Sequence, residues 1–162
     1  MTDIVSKKKR SQMMAGIKGK NTKPEVAIRK ALFNKGYRYR LHKKNLPGKP
    51  DLVLAKYNTV IFIHGCFWHR HDCHLFKWPK TRPEFWKNKI NGNKIRDLKH
   101  LKELYELKWR VLVIWECAWK GKYKRSLNEI TALTEKFLKS DLEKFQIENT
   151  NQCPDYHNIF KE

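Results

Sequence analysis

Residues 110–117 read Arg-Val-Leu-Val-Ile-Trp-Glu-Cys. From Val111 to Trp115 every side chain is apolar. A strand covered on both faces has such a run, whereas a strand with one wet face alternates. Arg110–Trp115 is therefore read as a buried central strand with helices on either side of its sheet. Two further apolar runs lie upstream, Asp51–Ala55 (DLVLA) and Thr59–Ile63 (TVIFI). Only Lys56-Tyr57-Asn58 separates them, which predicts a hairpin. Tyr37–Leu41 is a candidate edge strand.

Helix starts repeat one device. Thr22-Lys23-Pro24-Glu25, Thr81-Arg82-Pro83-Glu84 and Ser126-Leu127-Asn128-Glu129 all have the spacing of a capping box, two with Pro in the first turn. The first helix is expected to run to about Lys35 and stop at Gly36. The second begins at Pro83 and is expected to break at Asn91-Gly92-Asn93. A further helix follows from Lys94 to Leu107, with Ile95, Leu98, Leu101 and Tyr105 at helical spacing. The last spans Leu127 to about Leu142. The order predicts one α/β domain over residues 1–142, a mixed central sheet flanked by helices. Residues 1–20 form a basic N-terminal segment, and 143–162 read as a weakly ordered tail.

The 162 residues include 36 Lys or Arg and 16 Asp or Glu, a net charge of +20. The excess is graded along the chain: +13 in residues 1–50, +7 in 51–120 and zero in 121–162. A Lys-rich composition alone needs no gradient, whereas a polyanion partner would exploit one through counterion release. A hydrophobic content of 40% argues against disorder. No run approaches the ~18 apolar residues of a membrane span. The basic N-terminus has no apolar stretch behind it, so a cytoplasmic protein is expected. The basic residues do not line one amphipathic helix, which disfavours a membrane surface.

Two of the four cysteines fall among four histidines in residues 64–74, His-Gly-Cys-Phe-Trp-His-Arg-His-Asp-Cys-His. Cys66, His71 and Cys73 are close enough for one loop to wrap a tetrahedral Zn²⁺. Cys117 is a candidate fourth ligand. It follows one strand as Cys66 follows another, so parallel neighbouring strands would deliver both to the same sheet edge. His74 competes for that place, and a lone Cys117 in the core is the plainer alternative. Four protein ligands would make the site structural. His64 and His69 remain for other work.

Asp51 is the leading catalytic candidate. It is one of only three acids in the first 71 residues, after Asp3 and Glu25, and it opens a strand behind Leu46-Pro47-Gly48-Lys49-Pro50. A carboxylate there suits a Mg²⁺ ligand for phosphodiester chemistry. A turn aspartate is the plainer alternative. The next strand supplies neither a second acid nor a lysine, only Phe62-Ile63-His64, so a carbonyl and a histidine would have to stand in.

These residues resemble a known family. MMAGIKGKNTKPE (13–25), LPGKPDLVL (46–54), VIFIHGCFWH (60–69), GCFWHRHDCHLF (65–76), TRPEFW (81–86) and WRVLVIWECA (109–118) fit, in order, the very-short-patch (Vsr) mismatch endonucleases. The resemblance covers roughly residues 6–120. It implies a fold related to type II restriction enzymes of the PD-(D/E)xK kind. The implied activity is Mg²⁺-dependent nicking of duplex DNA 5′ to the thymine of a T:G mismatch left by deamination of 5-methylcytosine. The resemblance makes Asp51 the metal-binding carboxylate, with the Ile63 carbonyl beside it. His69 becomes the general base and His64 a phosphate contact, with Glu25 and Asp97 in support. It gives Zn²⁺ to Cys66, His71, Cys73 and Cys117. Phe67, Trp68 and Trp86 form a wedge between bases. Lys89 and Asn93 read the mispair, and Met14 and Ile17 press on the opposite groove. A monomer acting on DNA is implied, with mismatch-repair proteins as candidate partners. A restriction-type nuclease cutting matched DNA and a zinc-stabilised DNA-binding module without catalysis are the alternatives.

Overall fold

The computed structural model describes residues 5–17 and 19–151. Cys153 lies outside them. Helix α1 (Lys7–Ala15) and helix α2 (Lys23–Asn34) precede strands β1 (Arg40–Leu41), β2 (Leu52–Leu54) and β3 (Thr59–His64). Helix α3 (Pro83–Glu106), strand β4 (Arg110–Trp115), helix α4 (Leu127–Leu138) and strand β5 (Lys144–Ile147) follow. The five strands form one mixed sheet in the order β1-β2-β3-β4-β5. The first three are antiparallel neighbours, while β3, β4 and β5 run parallel.

The hairpin forms between β2 and β3, closed by a 3-10 turn at Ala55–Tyr57 and by Asn58 in the left-handed region. β4 is central and covered on both sides. Val111 and Val113 face α3, together with Val53, Val60, Phe62 and Leu104. Leu112 and Ile114 face α2 and α4, in a cluster with Ile28, Leu32, Ile130 and Phe137. Each such fully buried side chain contributes about 1.5–3 kcal/mol. Arg110 ties the end of α4 to the sheet. Its guanidinium donates to the carbonyl of Phe137 (2.6 Å), a group left over where the helix stops, and to those of Ser140 (2.8 Å) and Leu142 (2.8 Å) in the segment that follows.

The structure differs from several expectations: the last helix stops at Leu138 rather than near Leu142, and of Tyr37–Leu41 only Arg40 and Leu41 form a strand. Helix α3 is continuous through Asn91-Gly92-Asn93. A mid-helix Gly costs about 1 kcal/mol against Ala, but both flanking amides are engaged. Asn91 accepts from Arg70 (2.9 Å) and Asn93 donates to the Trp68 carbonyl (3.0 Å). Ile95 and Leu98 are 69% and 58% exposed, so the buried side of α3 is set by Ile90 and Leu104 instead. Only the Ser126 capping box forms: Thr22 makes no side-chain cap, and α3 is preceded by Arg82 at φ 50° rather than capped by Thr81. The expected tail contributes β5, whose Phe145 and Ile147 are buried against β4. Its alternation over four residues was too short to stand out. Helix α1 carries no apolar stripe and buries no residue, so no periodicity marks it in the sequence.

Candidate active site and metal centre

The parallel register of β3 and β4 pairs His64 with Trp115. Cys66 and Cys117 each lie two residues further on, and both are fully buried. His71 and Cys73 fold back to join them, so the four donors lie within 4.8 Å of one another. His71 Nδ1 is 3.4 Å from Cys66 Sγ and 3.6 Å from Cys117 Sγ. A sulfur about 2.3 Å and a nitrogen about 2.05 Å from one tetrahedral Zn²⁺ would be about 3.6 Å apart, so the donor set fits such an ion. The competing ligand His74 is exposed and packs its ring 5.3 Å from that of Tyr123.

The surroundings suit a ligand histidine. His71 Nε2 pairs with Glu148 Oε1 at 2.6 Å, directly after β5. A carboxylate on the far nitrogen fixes the ring and its tautomer. Trp115 stacks on the same imidazole at 4.1 Å and 9°. Burial alone would lower the His71 pKa, but contacts with Cys117 and Glu148 outweigh it and push the value to about 10. The Cys66 hydrogen bond holds the Cys117 thiol acidic, while Cys66 is pushed up by Cys117 and by burial. Four donors thus crowd the space a dication would fill.

A second group joins β3, its following loop and α3. His69 Nδ1 lies 2.5 Å from Asp97 Oδ2. With that nitrogen held, Nε2 is left to accept a proton. The His64 ring stacks face to face on His69 at 3.7 Å and 2°. Burial, then the neighbouring His69, lowers the His64 pKa well below 6.5, so this ring stays neutral.

The third group brings α2, the end of β1 and the start of β2 together. Gly48 (φ 73°) sharpens the turn before Asp51, where a Cβ would meet Phe62 at 3.1 Å. Asp51 Oδ2 accepts the Ile63 N–H at 2.7 Å, which aligns its carboxylate beside that peptide. Glu25 is only 3% exposed. Burial raises the Asp51 pKa to about 6, and Glu25 adds to the rise against the opposing Ile63 hydrogen bond. His42 stands between the acids, with Nε2 2.9 Å from Glu25 Oε1 and Nδ1 3.8 Å from Asp51 Oδ1. Two acids enclosed this closely fit a divalent cation.

Asp51, Glu25, Ile63 and His69 line one groove of about 650 Å³ with Phe67, Trp68 and Ile17. Phe67 contacts Trp68 and Trp86 with ring centroids at 5.1 and 5.4 Å, and Phe85 and Phe76 extend the aromatic surface. Lys89 is exposed, its ammonium 6.0 Å from the Phe85 ring centroid. Met14 is 44% and Ile17 51% exposed.

Residues 2–75 match the family described as DNA mismatch endonuclease Vsr. The chain is 51% identical over 122 residues to the type II nicking enzyme V.NmeAIP of Neisseria meningitidis serogroup A, covering 75% of this chain and 87% of that protein. It is 43% identical over 138 residues to the DNA mismatch endonuclease Vsr of Escherichia coli, covering 85% of this chain and 88% of that protein. The type II nicking enzyme V.XorIIP of Xanthomonas oryzae is 45% identical over 117 residues, 72% of this chain and 86% of the relative. The chain belongs to the Vsr family.

Vsr-family membership makes it a strand-nicking nuclease. All four zinc candidates converge, as do His64, His69 and Asp97 in one group and Glu25 and Asp51 in another. Two neighbours were missed. His42 lies one residue past the end of β1 and has no motif around it in the sequence. Glu148 sat in the segment read as tail.

Proposed function

We propose that this chain nicks duplex DNA 5′ to the thymine of a T:G mismatch, using Mg²⁺, and so initiates very-short-patch repair. The observation that carries the reading is the joint placement of the Asp97-held His69 and the buried Asp51 carboxylate on one groove. The names of the relatives support mismatch and nicking activity. The sheet, with an antiparallel hairpin feeding two parallel strands, agrees with a restriction-endonuclease-like fold.

Asp51 would hold the cation, with Glu25 and the Ile63 carbonyl close by. When bound, Mg²⁺ would neutralise charge building on the scissile phosphate. His69 Nε2 would take the proton of the attacking water, while Asp97 keeps Nδ1 occupied and the ring oriented. Neutral His64, stacked beneath, would donate a hydrogen bond to a phosphate oxygen without competing for that proton. The Phe67–Trp68–Trp86 cluster would enter the base stack, where opening costs about a few kcal/mol per step and least at a mispair. Lys89 and Asn93 border this cluster and would read the mispair. Met14, within the basic α1, and Ile17, just after it, would approach from the other groove. We assign Zn²⁺ a structural role at Cys66, His71, Cys73 and Cys117. No helix among the described residues is long and apolar enough to cross a membrane. A monomeric cytoplasmic enzyme with mismatch-repair proteins as partners completes the reading.

The test is a panel of labelled duplexes carrying T:G in several contexts with matched T:A controls. The expected result is one nick 5′ to the mispaired thymine that requires Mg²⁺, with matched duplex intact. Cutting of matched duplex would favour a restriction-type nuclease, and binding without any nick a DNA-binding module. His69→Ala should slow nicking about 10²–10⁴-fold at unchanged duplex affinity, the range of a lost general base. Single-turnover rates beside binding isotherms separate the two.

A further inference from the structure

The Glu25–His42–Asp51 group contains a nitrogen donor that the ligand set above leaves unused. His42 Nε2 is buried and makes no hydrogen bond among the described residues. Yet it lies 2.9 Å from Glu25 Oε1. That separation is hydrogen-bond length without hydrogen-bond alignment. Adjacent ligands on one octahedral ion, each about 2.1 Å from it, lie about 3.0 Å apart. One donor from each of Glu25, His42 and Asp51 falls within 4.8 Å of the others, a spread that one coordination sphere spans.

The backbone holds His42 at this place. Its N–H donates to the Asp51 carbonyl at 3.2 Å, so the ring-bearing residue is pinned to Asp51 itself. Its φ of 45° turns the chain immediately after β1.

We propose that His42 is a third side-chain ligand of the Asp51 cation, making a mixed nitrogen–oxygen site that takes Mn²⁺ in preference to Mg²⁺. The inference rests on the reading of Asp51 as the metal-binding carboxylate. Mg²⁺ is a hard ion that keeps oxygen ligands and water, so an imidazole adds little to its affinity. A first-row transition ion gains from the same nitrogen.

The test uses full-length, zinc-loaded protein. Mn²⁺ binding is read from the paramagnetic resonance of the free ion, and Mg²⁺ binding by competition. In His42→Gln the Mn²⁺ Kd should rise about tenfold, and the Mg²⁺ Kd by less than about twofold. His42→Asn, which tolerates the left-handed backbone better, should behave the same way and decides the matter if the Gln variant folds poorly. Equal weakening of both ions, or no change in either, overturns the proposal. Asp51→Asn should lose both ions. If it does so while both His42 variants bind as wild type, the His42 inference alone fails. If Asp51→Asn binds as wild type, the Asp51 reading fails and takes the His42 inference with it.

Discussion

Asp51→Ala should lower nicking of a T:G duplex by about 10³-fold or more and leave duplex affinity nearly unchanged. A divalent ion supplies several kcal/mol of transition-state charge stabilisation, and each 1.36 kcal/mol is tenfold in rate. Affinity has a different source. The +20 net charge governs phosphate contact, and removing one carboxylate does not reduce it. A companion change, Asp51→Asn, separates chemistry from folding. Burial raises the Asp51 pKa from 3.8 to about 6. The folded state therefore binds the proton more tightly than the unfolded chain. Wild-type stability should fall as pH rises from about 4 to 6, and the deficit should be complete above that window. Asn does not titrate, so without Mg²⁺ or Mn²⁺ the variant should gain on wild type across this range. The gain is bounded at about 3 kcal/mol by a shift of about two pH units. Urea denaturation at pH 4 and pH 7.5 measures it, and divalent cation should erase it by stabilising wild type. Full nicking by Asp51→Ala would remove Asp51 from the chemistry.

The site was legible in the sequence where ligands are local or sit at strand ends. Cys66, His71 and Cys73 announce themselves by spacing, and Cys117 follows from two apolar runs that prove to be parallel neighbours. Asp51 stood out because acids are scarce in the first half. His42 and Glu148 did not, since their meaning depends on which segments pack together. His42 faces Glu25 only because α2 lies beside the start of the hairpin. Glu148 reaches His71 only because β5 extends the sheet by one parallel strand. The helix through Asn91-Gly92-Asn93 shows the same limit. Local propensity predicts a break there, and contacts from Asn93 to Trp68 and from Arg70 to Asn91 override it. Apolar spacing misled at Ile95 and Leu98. Periodicity identifies a helix, but it does not say how much of its length the sheet covers.

Cys117→Ser should cost the protein both its zinc and its cooperative fold. Wild type should carry one zinc per chain. Structural Zn²⁺ sites bind with roughly 10–16 kcal/mol of apparent free energy, which is folding energy where the site does not survive unfolding. Total stability of a domain is about 5–15 kcal/mol. Losing most of the metal term therefore approaches the whole margin. The location makes the loss structural for the groove as well. Cys66 and Cys117 tie the ends of β3 and β4, while His71 and Cys73 anchor the irregular loop that presents Phe67, Trp68 and His69. Without the ion, the buried Cys66 and Cys117 sulfurs and the His71 ring must share protons among themselves, a poorer arrangement than three ligands on a dication. Chelation of wild type should reproduce the variant, with nicking and mismatch discrimination failing together while nonspecific duplex affinity survives in part through residues 7–10. His74→Ala is the control. Its ring packs on Tyr123 away from the cluster, so zinc content should stay at one per chain and Tm within a few degrees of wild type. A Cys117→Ser protein with full zinc and wild-type Tm would move the fourth ligand elsewhere.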